Sequence, residues 1–248
     1  INLFSRQADC SLQSGNYSDA IRLYDEINET EMNSEDYFKK AIAYEKNDIT
    51  QEAIKIMKSL LSKDPDFLQG YFYLQSLYEN EKNYPDAIEI GKEGLRLSQF
   101  YKELMVSTGS LEIEHGDANE GVTLLKQALE VDNAYHEPLL ILSDLYRSEE
   151  DYEAIIELLT YVDEEDLDPV FMWHLAYAYG KEERDKEAQH FFELAYPTLK
   201  SQSEFLSDYY FYLLEIGQKD TAKSILDQLL EMDPSNETWH DEAMRLQS

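Results

Sequence analysis

The sequence predicts an all-α array of stacked helix pairs, and three observations carry that expectation. One phrase recurs: SGNYSDAIRLYDEI at 14–27 returns as KNYPDAIEIGKEGL at 82–95 and, in worn form, as EDYEAIIELLTYVD at 150–163. Anchored on Ala20, the equivalent small or apolar position falls at Ala53, Ala87, Gly121, Ile155, Ala188 and Ala222, in steps of 33 or 34 residues. A second column, sixteen residues upstream, holds Phe4, Tyr37, Tyr71, Met105, Leu139, Met172 and Leu206 and continues to Trp239. Within each unit the apolar residues keep helical spacing in two runs separated by a polar gap. Turn residues sit at the joints.

The units follow in order as one domain over 1–248. Residues 1–34 form the first pair, with Gly15 between its helices. In 35–67, Tyr37, Ala41 and Tyr44 mark the first helix, Ala53, Ile54, Met57 and Leu60 the second, and Asp64-Pro65 the break. In 68–101, Pro85 opens the second helix, where its missing amide donor costs nothing. Gly91 and Gly94 then fall inside that helix, each at about 1 kcal/mol relative to Ala. Residues 102–135 place Gly116 at the inter-helix joint, and 136–168 close on Asp168-Pro169. Residues 169–202 carry both runs clearly, 203–235 have Gly217 at the joint and Asp233-Pro234 at the break, and 236–248 form a terminal helix with Trp239, Ala243 and Leu246. With Ser107, Gly109 and Gly121, the glycines of the third unit make a thin seam. It reads either as a flexing point between 1–98 and 99–248 or as close helix packing.

Composition narrows the function. The 43% hydrophobic and 12% aromatic content supports a real core. Against 21 Lys and Arg stand 52 Asp and Glu, a net charge of −31 that repels nucleic acid and anionic membranes. The lone Cys10 makes no intramolecular disulfide, which favours a cytoplasmic setting, and no stretch approaches the roughly 20 apolar residues that span a bilayer.

These residues resemble the tetratricopeptide repeat family, and the resemblance covers essentially the whole chain. Tyr37, Ala41, Tyr44, Ala53 and Pro65 stand at the family's positions in the second unit, and Leu175, Ala176, Tyr179, Ala188, Phe192 and Ala195 in the sixth. The resemblance implies a right-handed superhelical solenoid of about seven repeats plus the terminal helix, with first helices lining a concave face. Ser11 departs from the pattern in the first repeat, Ile155 in the fifth, and Tyr209 and Tyr210 in the seventh. The Lys, Asn, Tyr and Glu-rich composition resembles bacterial members.

No catalytic constellation stands out. His115, His136, His174, His190 and His240 have no ligand spacing, there is no paired CxxC or HExxH, and no phosphate loop or nucleophile elbow occurs. Acidic runs such as Glu149-Glu150-Asp151 read as solvated turns. The expectation is a non-enzyme without cofactor or metal.

In the family, ligands contact first-helix residues beside the core columns. The first such row here is Ser5, Phe38, Phe72, Val106, Leu140, Trp173 and Ser207, and the next is Asp9, Ile42, Ser76, Ser110, Asp144, Tyr177 and Phe211. Large apolar residues along that face mark an interaction site, rimmed by Glu45, Glu79, Glu137, Asp144, Glu204 and Glu215. Trp173, beside Met172 in the core column and one turn before Tyr177, reads as an exposed anchor, although tight winding can instead bury such aromatics between first helices. The family's Lys/Asn/Arg carboxylate clamp is disfavoured, since Arg147 and Lys39 are isolated cations among acids. The expected function is a scaffold that binds an apolar, basic protein segment. The alternatives are self-association through the terminal helix, giving a homo-oligomer, and a regulatory subunit of a larger complex.

Overall fold

The computed structural model describes residues 3–247, the side chain of Gln247 excepted; residues 1, 2 and 248 of the expected first repeat and terminal helix lie outside the described residues. Every regular element among them is helical. They divide into two compact units after Val131.

The first unit holds α1 (Leu3–Gln13), α2 (Tyr17–Asp25), α3 (Ser34–Lys46), α4 (Thr50–Lys63), α5 (Leu68–Asn80), α6 (Tyr84–Leu97), α7 (Lys102–His115) and α8 (Ala118–Val131). The second holds α9 (His136–Ser148), α10 (Tyr152–Thr160), a 3-10 turn (Glu164–Asp166), α11 (Pro169–Lys181), α12 (Asp185–Leu199), α13 (Ser203–Glu215), α14 (Lys219–Met232) and α15 (Glu237–Gln247). Within each unit every odd-numbered helix packs on the even one that follows, and that helix packs on the next odd one. This is the stacked helix-turn-helix repeat that the 34-residue period predicts.

The joints show why the period is so regular. One residue between paired helices takes a positive φ: Gly15 (77°), Asp48 (60°), Lys82 (58°), Glu150 (59°), Glu183 (56°) and Gly217 (76°). In each case the next residue donates its N–H to the carbonyl five positions back, as in Ile49 to Tyr44 at 2.9 Å, Asp151 to Tyr146 at 2.9 Å and Gln218 to Leu213 at 2.8 Å. This left-handed close satisfies carbonyls that a helix end would leave bare. The fourth joint is built otherwise. Gly116 has φ −136°, and the N–H of Asp117 is taken at 2.7 Å by the carboxylate of Glu112, itself buried and ion-paired to Lys92. A Cβ on Gly116 would lie 1.9 Å from Glu112 Oε2, so that glycine serves contact and not a left-handed turn.

The anchor column is the close-packing line. Ala20, Ala53, Ala87, Ala188 and Ala222 are fully buried, and Ile155 is buried in the short α10. The glycine seam belongs to the same logic. A Cβ on Gly91 would stand 2.2 Å from Thr108 Oγ1 and 2.3 Å from Gln75 Nε2, two side chains that bond each other at 2.9 Å across α5 and α7. The seam is a row of close contacts inside the first unit, as the packing alternative expects.

Candidate functional site

The predicted face falls into three groups by burial. Phe38, Val106 and Trp173 are buried at 7%, 1% and 6% exposure, so the expectation of an exposed indole at 173 is corrected. The physical reason is that a first helix is flanked on two sides. Phe38 meets Phe67 and Tyr73 at centroid distances of 5.5 and 5.1 Å, and Trp173 meets Phe205 edge-on at 6.0 Å. Helix α11 buries Phe171, Trp173, His174, Leu175, Ala176, Ala178 and Tyr179, which leaves only a narrow wet strip. Ile42, Phe72, Leu140 and Tyr177 are half-buried, as is Glu45, while Glu79 and Asp144 are exposed. Phe211 is the large apolar member of the rows that stays open, at 42%.

In the first unit the face is knitted by polar contacts. Lys39 pairs with Asp9 at 2.9 Å, Tyr24 donates to Asp9 at 2.6 Å, and Ser5 donates to Asp36. Asp9 is thereby committed to its neighbours.

In the second unit four residues from three first helices converge. Arg147 of α9 donates to Asp208 of α13 at 2.8 Å, and its guanidinium carbon lies 4.4 Å from the Tyr177 ring centroid and 5.3 Å from that of Trp173. Trp173 Nε1 donates to the same Asp208 oxygen at 2.9 Å. Lys181 Nζ lies 5.2 Å from the Tyr177 ring. Burial pushes the Asp208 carboxyl above its ordinary pKa, against the lowering pull of Arg147 and the indole N–H. Partial desolvation of its carboxyl raises Asp144 too, again opposed by Arg147.

Two clefts flank this cluster. One, of about 220 Å³, is walled by Tyr177, Phe192, Phe211 and Tyr212, with Asp208, Glu215 and Lys181 as its charged lining. The other, of about 580 Å³, runs past Arg147, Glu204, Asp208, Asp233 and Trp239. Phe211 and Trp239 lie 6.1 Å apart, and Tyr210, fully buried, ties α15 down through Glu242 at 3.0 Å. Sequence reasoning missed Asp208 and treated Arg147 as isolated. The pair is 61 positions apart and skips a repeat, so neither column of the period links them. A findable signal was Trp173, Tyr177 and Lys181 at four-residue spacing on one helix.

Among the described residues no helix is long and apolar enough to cross a membrane, and no group of three or more His, Cys, Asp or Glu is placed to hold a metal ion. The family model described as YpiA-like, C-terminal tetratricopeptide repeats matches residues 169–236, and a general tetratricopeptide repeat model matches 37–66. The chain is 32% identical to the TPR repeat-containing protein YpiA of Bacillus subtilis (strain 168) over its full length, and spans 59% of that protein. Two solved structures share the fold at 15% identity. The C-terminal part of a TPR repeat-containing protein from Cytophaga hutchinsonii has TM-score 0.72 over 96% of this chain and 98% of its own. A tetratricopeptide repeat protein from Parabacteroides merdae has TM-score 0.58 over 98% and 96%. Repeat arrays of this kind are in general protein–protein interaction scaffolds and typically non-catalytic. The chain is a tetratricopeptide-repeat protein, with YpiA-like repeats over residues 169–236.

Proposed function

We propose that the first-helix face of the second unit binds a partner segment, extended or helical, that carries apolar and basic side chains. The observation that carries this reading is Phe211, open at 42% on the wall of the smaller cleft, where Asp208 and Glu215 outnumber Lys181, and 6.1 Å from Trp239 of the larger cleft, which Glu204 and Asp233 also line. An apolar side chain gains about 25 cal/mol per Å² on burial against Phe211, Tyr177 and Trp239. The carboxylates, on a chain of net charge −31, steer cations to the same place and repel acidic segments. In the first unit Ile42, Phe72 and Glu45 are half-buried and Glu79 is exposed, and the same reading gives them a minor part in binding.

Selection of displayed random peptides on the purified chain tests the reading. The expected pool is rich in Lys or Arg beside aromatic or aliphatic residues, and Phe211→Ala weakens a selected peptide by about 10- to 100-fold, the range of an interface anchor. A pool rich in Asp and Glu, or peptides that bind the Phe211→Ala chain equally well, would sink it.

A further inference from the structure

We propose that Trp173, Tyr177 and Asp208 form a guanidinium cage, which Arg147 fills in the free chain and which an arginine side chain of the partner takes over in the complex. The proposal rests on the reading that this face binds a basic segment, and it names the group recognised.

The geometry is that of a receptor and not of a simple surface ion pair. The acceptor has an anchor besides its guest, because Trp173 Nε1 donates to the same Asp208 oxygen at 2.9 Å. The walls are two aromatic rings at 4.4 and 5.3 Å from the guanidinium carbon, distances at which a cation is drawn to a ring face. A planar guanidinium can stack on a ring while its fork reaches a carboxylate, which an ammonium cannot do. Asp208 lines both clefts and Arg147 lines the larger, so a side chain lying in that cleft meets the cage directly. Arg147 keeps a third of its side-chain surface in solvent, so its exit is not blocked.

The charged surroundings permit the exchange. Asp144, exposed on α9 one turn before Arg147, already feels its charge and offers the displaced guanidinium a partner at i−3 spacing. Occupation by Arg147 also imposes selectivity: a partner without arginine must compete with an internal ligand at high effective concentration.

The test begins with Arg147→Ala in a Trp239→Phe background, which leaves Trp173 as the sole indole of the two. Methylguanidinium is the probe, with methylammonium at equal ionic strength as control. The expected result is a saturable change in Trp173 fluorescence with methylguanidinium, at least tenfold tighter than in the chain that keeps Arg147, and lost in R147A/D208N. No saturable response, an equal response to methylammonium, or one that survives D208N overturns the cage. If R147A loses its helical circular dichroism, the melting temperature of Arg147→Lys serves instead: a rise with methylguanidinium alone is expected, and no difference between the two ions overturns it. A partner-side arm replaces arginine by lysine in a selected peptide, with at least a tenfold loss expected and equal binding contrary to the proposal. The small-ion arms need no partner, so peptide selection can fail while the cage stands, and the cage can fail while basic peptides still bind.

Discussion

The carbonyl oxygen of Gly109 occupies the space that a side chain on Gly121 needs: a Cβ there would lie 2.5 Å from that oxygen and 2.9 Å from the amide nitrogen of Ile113. Both obstacles are backbone, so α7 and α8 are held at a separation that only glycine permits. Gly121 is the one glycine of an anchor column that elsewhere carries Ala or Ile.

Gly121→Ala is therefore expected to destabilise the first unit despite the better helix propensity of alanine. Propensity returns about 1 kcal/mol, whereas forcing two backbones apart costs about 1–3 kcal/mol or more, as overpacked sites do. The urea midpoint of the unfolding step that includes α7 and α8 should fall. A rise would mean that the helices separate freely.

The left-handed joints make the opposite case. Lys82 and Glu150 hold φ of 58° and 59°, a conformation that costs a residue with a Cβ roughly 1–2 kcal/mol and glycine little. Lys82→Gly and Glu150→Gly are each expected to stabilise by about 0.5–1 kcal/mol, since glycine gives back part of the gain through its freer unfolded chain. Differential scanning calorimetry should show a higher melting temperature for both. A lower one would place the strain elsewhere.

His174 predicts an acid-sensitive second unit. It is 5% exposed, its Nδ1 has no hydrogen-bond partner among the described residues, and burial, helped by the nearby Arg147 charge, pushes it from 6.5 down to about 4. The unfolded chain thus binds a proton that the native chain refuses, and stability rises with pH through this window. The contribution is full above about 6.5 and is lost as pH falls toward 4, by up to about 3 kcal/mol. Asp144 and Asp208, both raised, bend the profile the other way within the carboxylate range. The difference in urea midpoint between wild type and His174→Phe across pH 4 to 7 isolates the histidine, and a flat difference would contradict its burial.

The period was legible because it is written twice, in the small column that sets helix approach and in the larger apolar column sixteen residues upstream, whereas the turn that closes most first helices is written unevenly. Gly15 and Gly217 advertise that turn, but Asp48, Lys82, Glu150 and Glu183 adopt the same backbone without a glycine to announce it. Conversely, Gly116 looks like a turn glycine and answers to the Glu112 carboxylate instead. The site was legible only by row. Periodicity places Phe38, Trp173 and Phe211 on one face, yet exposure there depends on what the neighbouring first helix supplies. Phe67 and Tyr73 cover Phe38, and Phe205 with Asp208 engages Trp173, while Phe211 has Trp239 on one side and a cleft on the other. Long-range pairing such as Arg147 with Asp208 has no period at all.

Trp173 and Phe211 should accordingly separate when each is truncated. Trp173→Ala removes a 6%-exposed side chain, opens a cavity against Phe205 and takes away one donor to Asp208, for an expected loss of about 3–5 kcal/mol. Phe211→Ala removes a ring that is 42% exposed and touches Tyr210 and Trp239, for a loss within about 1 kcal/mol. Binding should fall in both once folding is accounted for, but for different reasons. Under conditions where both chains are folded, Phe211→Ala should lose affinity for a selected peptide through a missing apolar contact, while Trp173→Ala, if it retains the native far-ultraviolet spectrum, loses it through the missing cage wall and the donor taken from Asp208. A Phe211→Ala chain as unstable as Trp173→Ala would mean that Phe211 is core, and the open strip of the second unit would then contain no anchor.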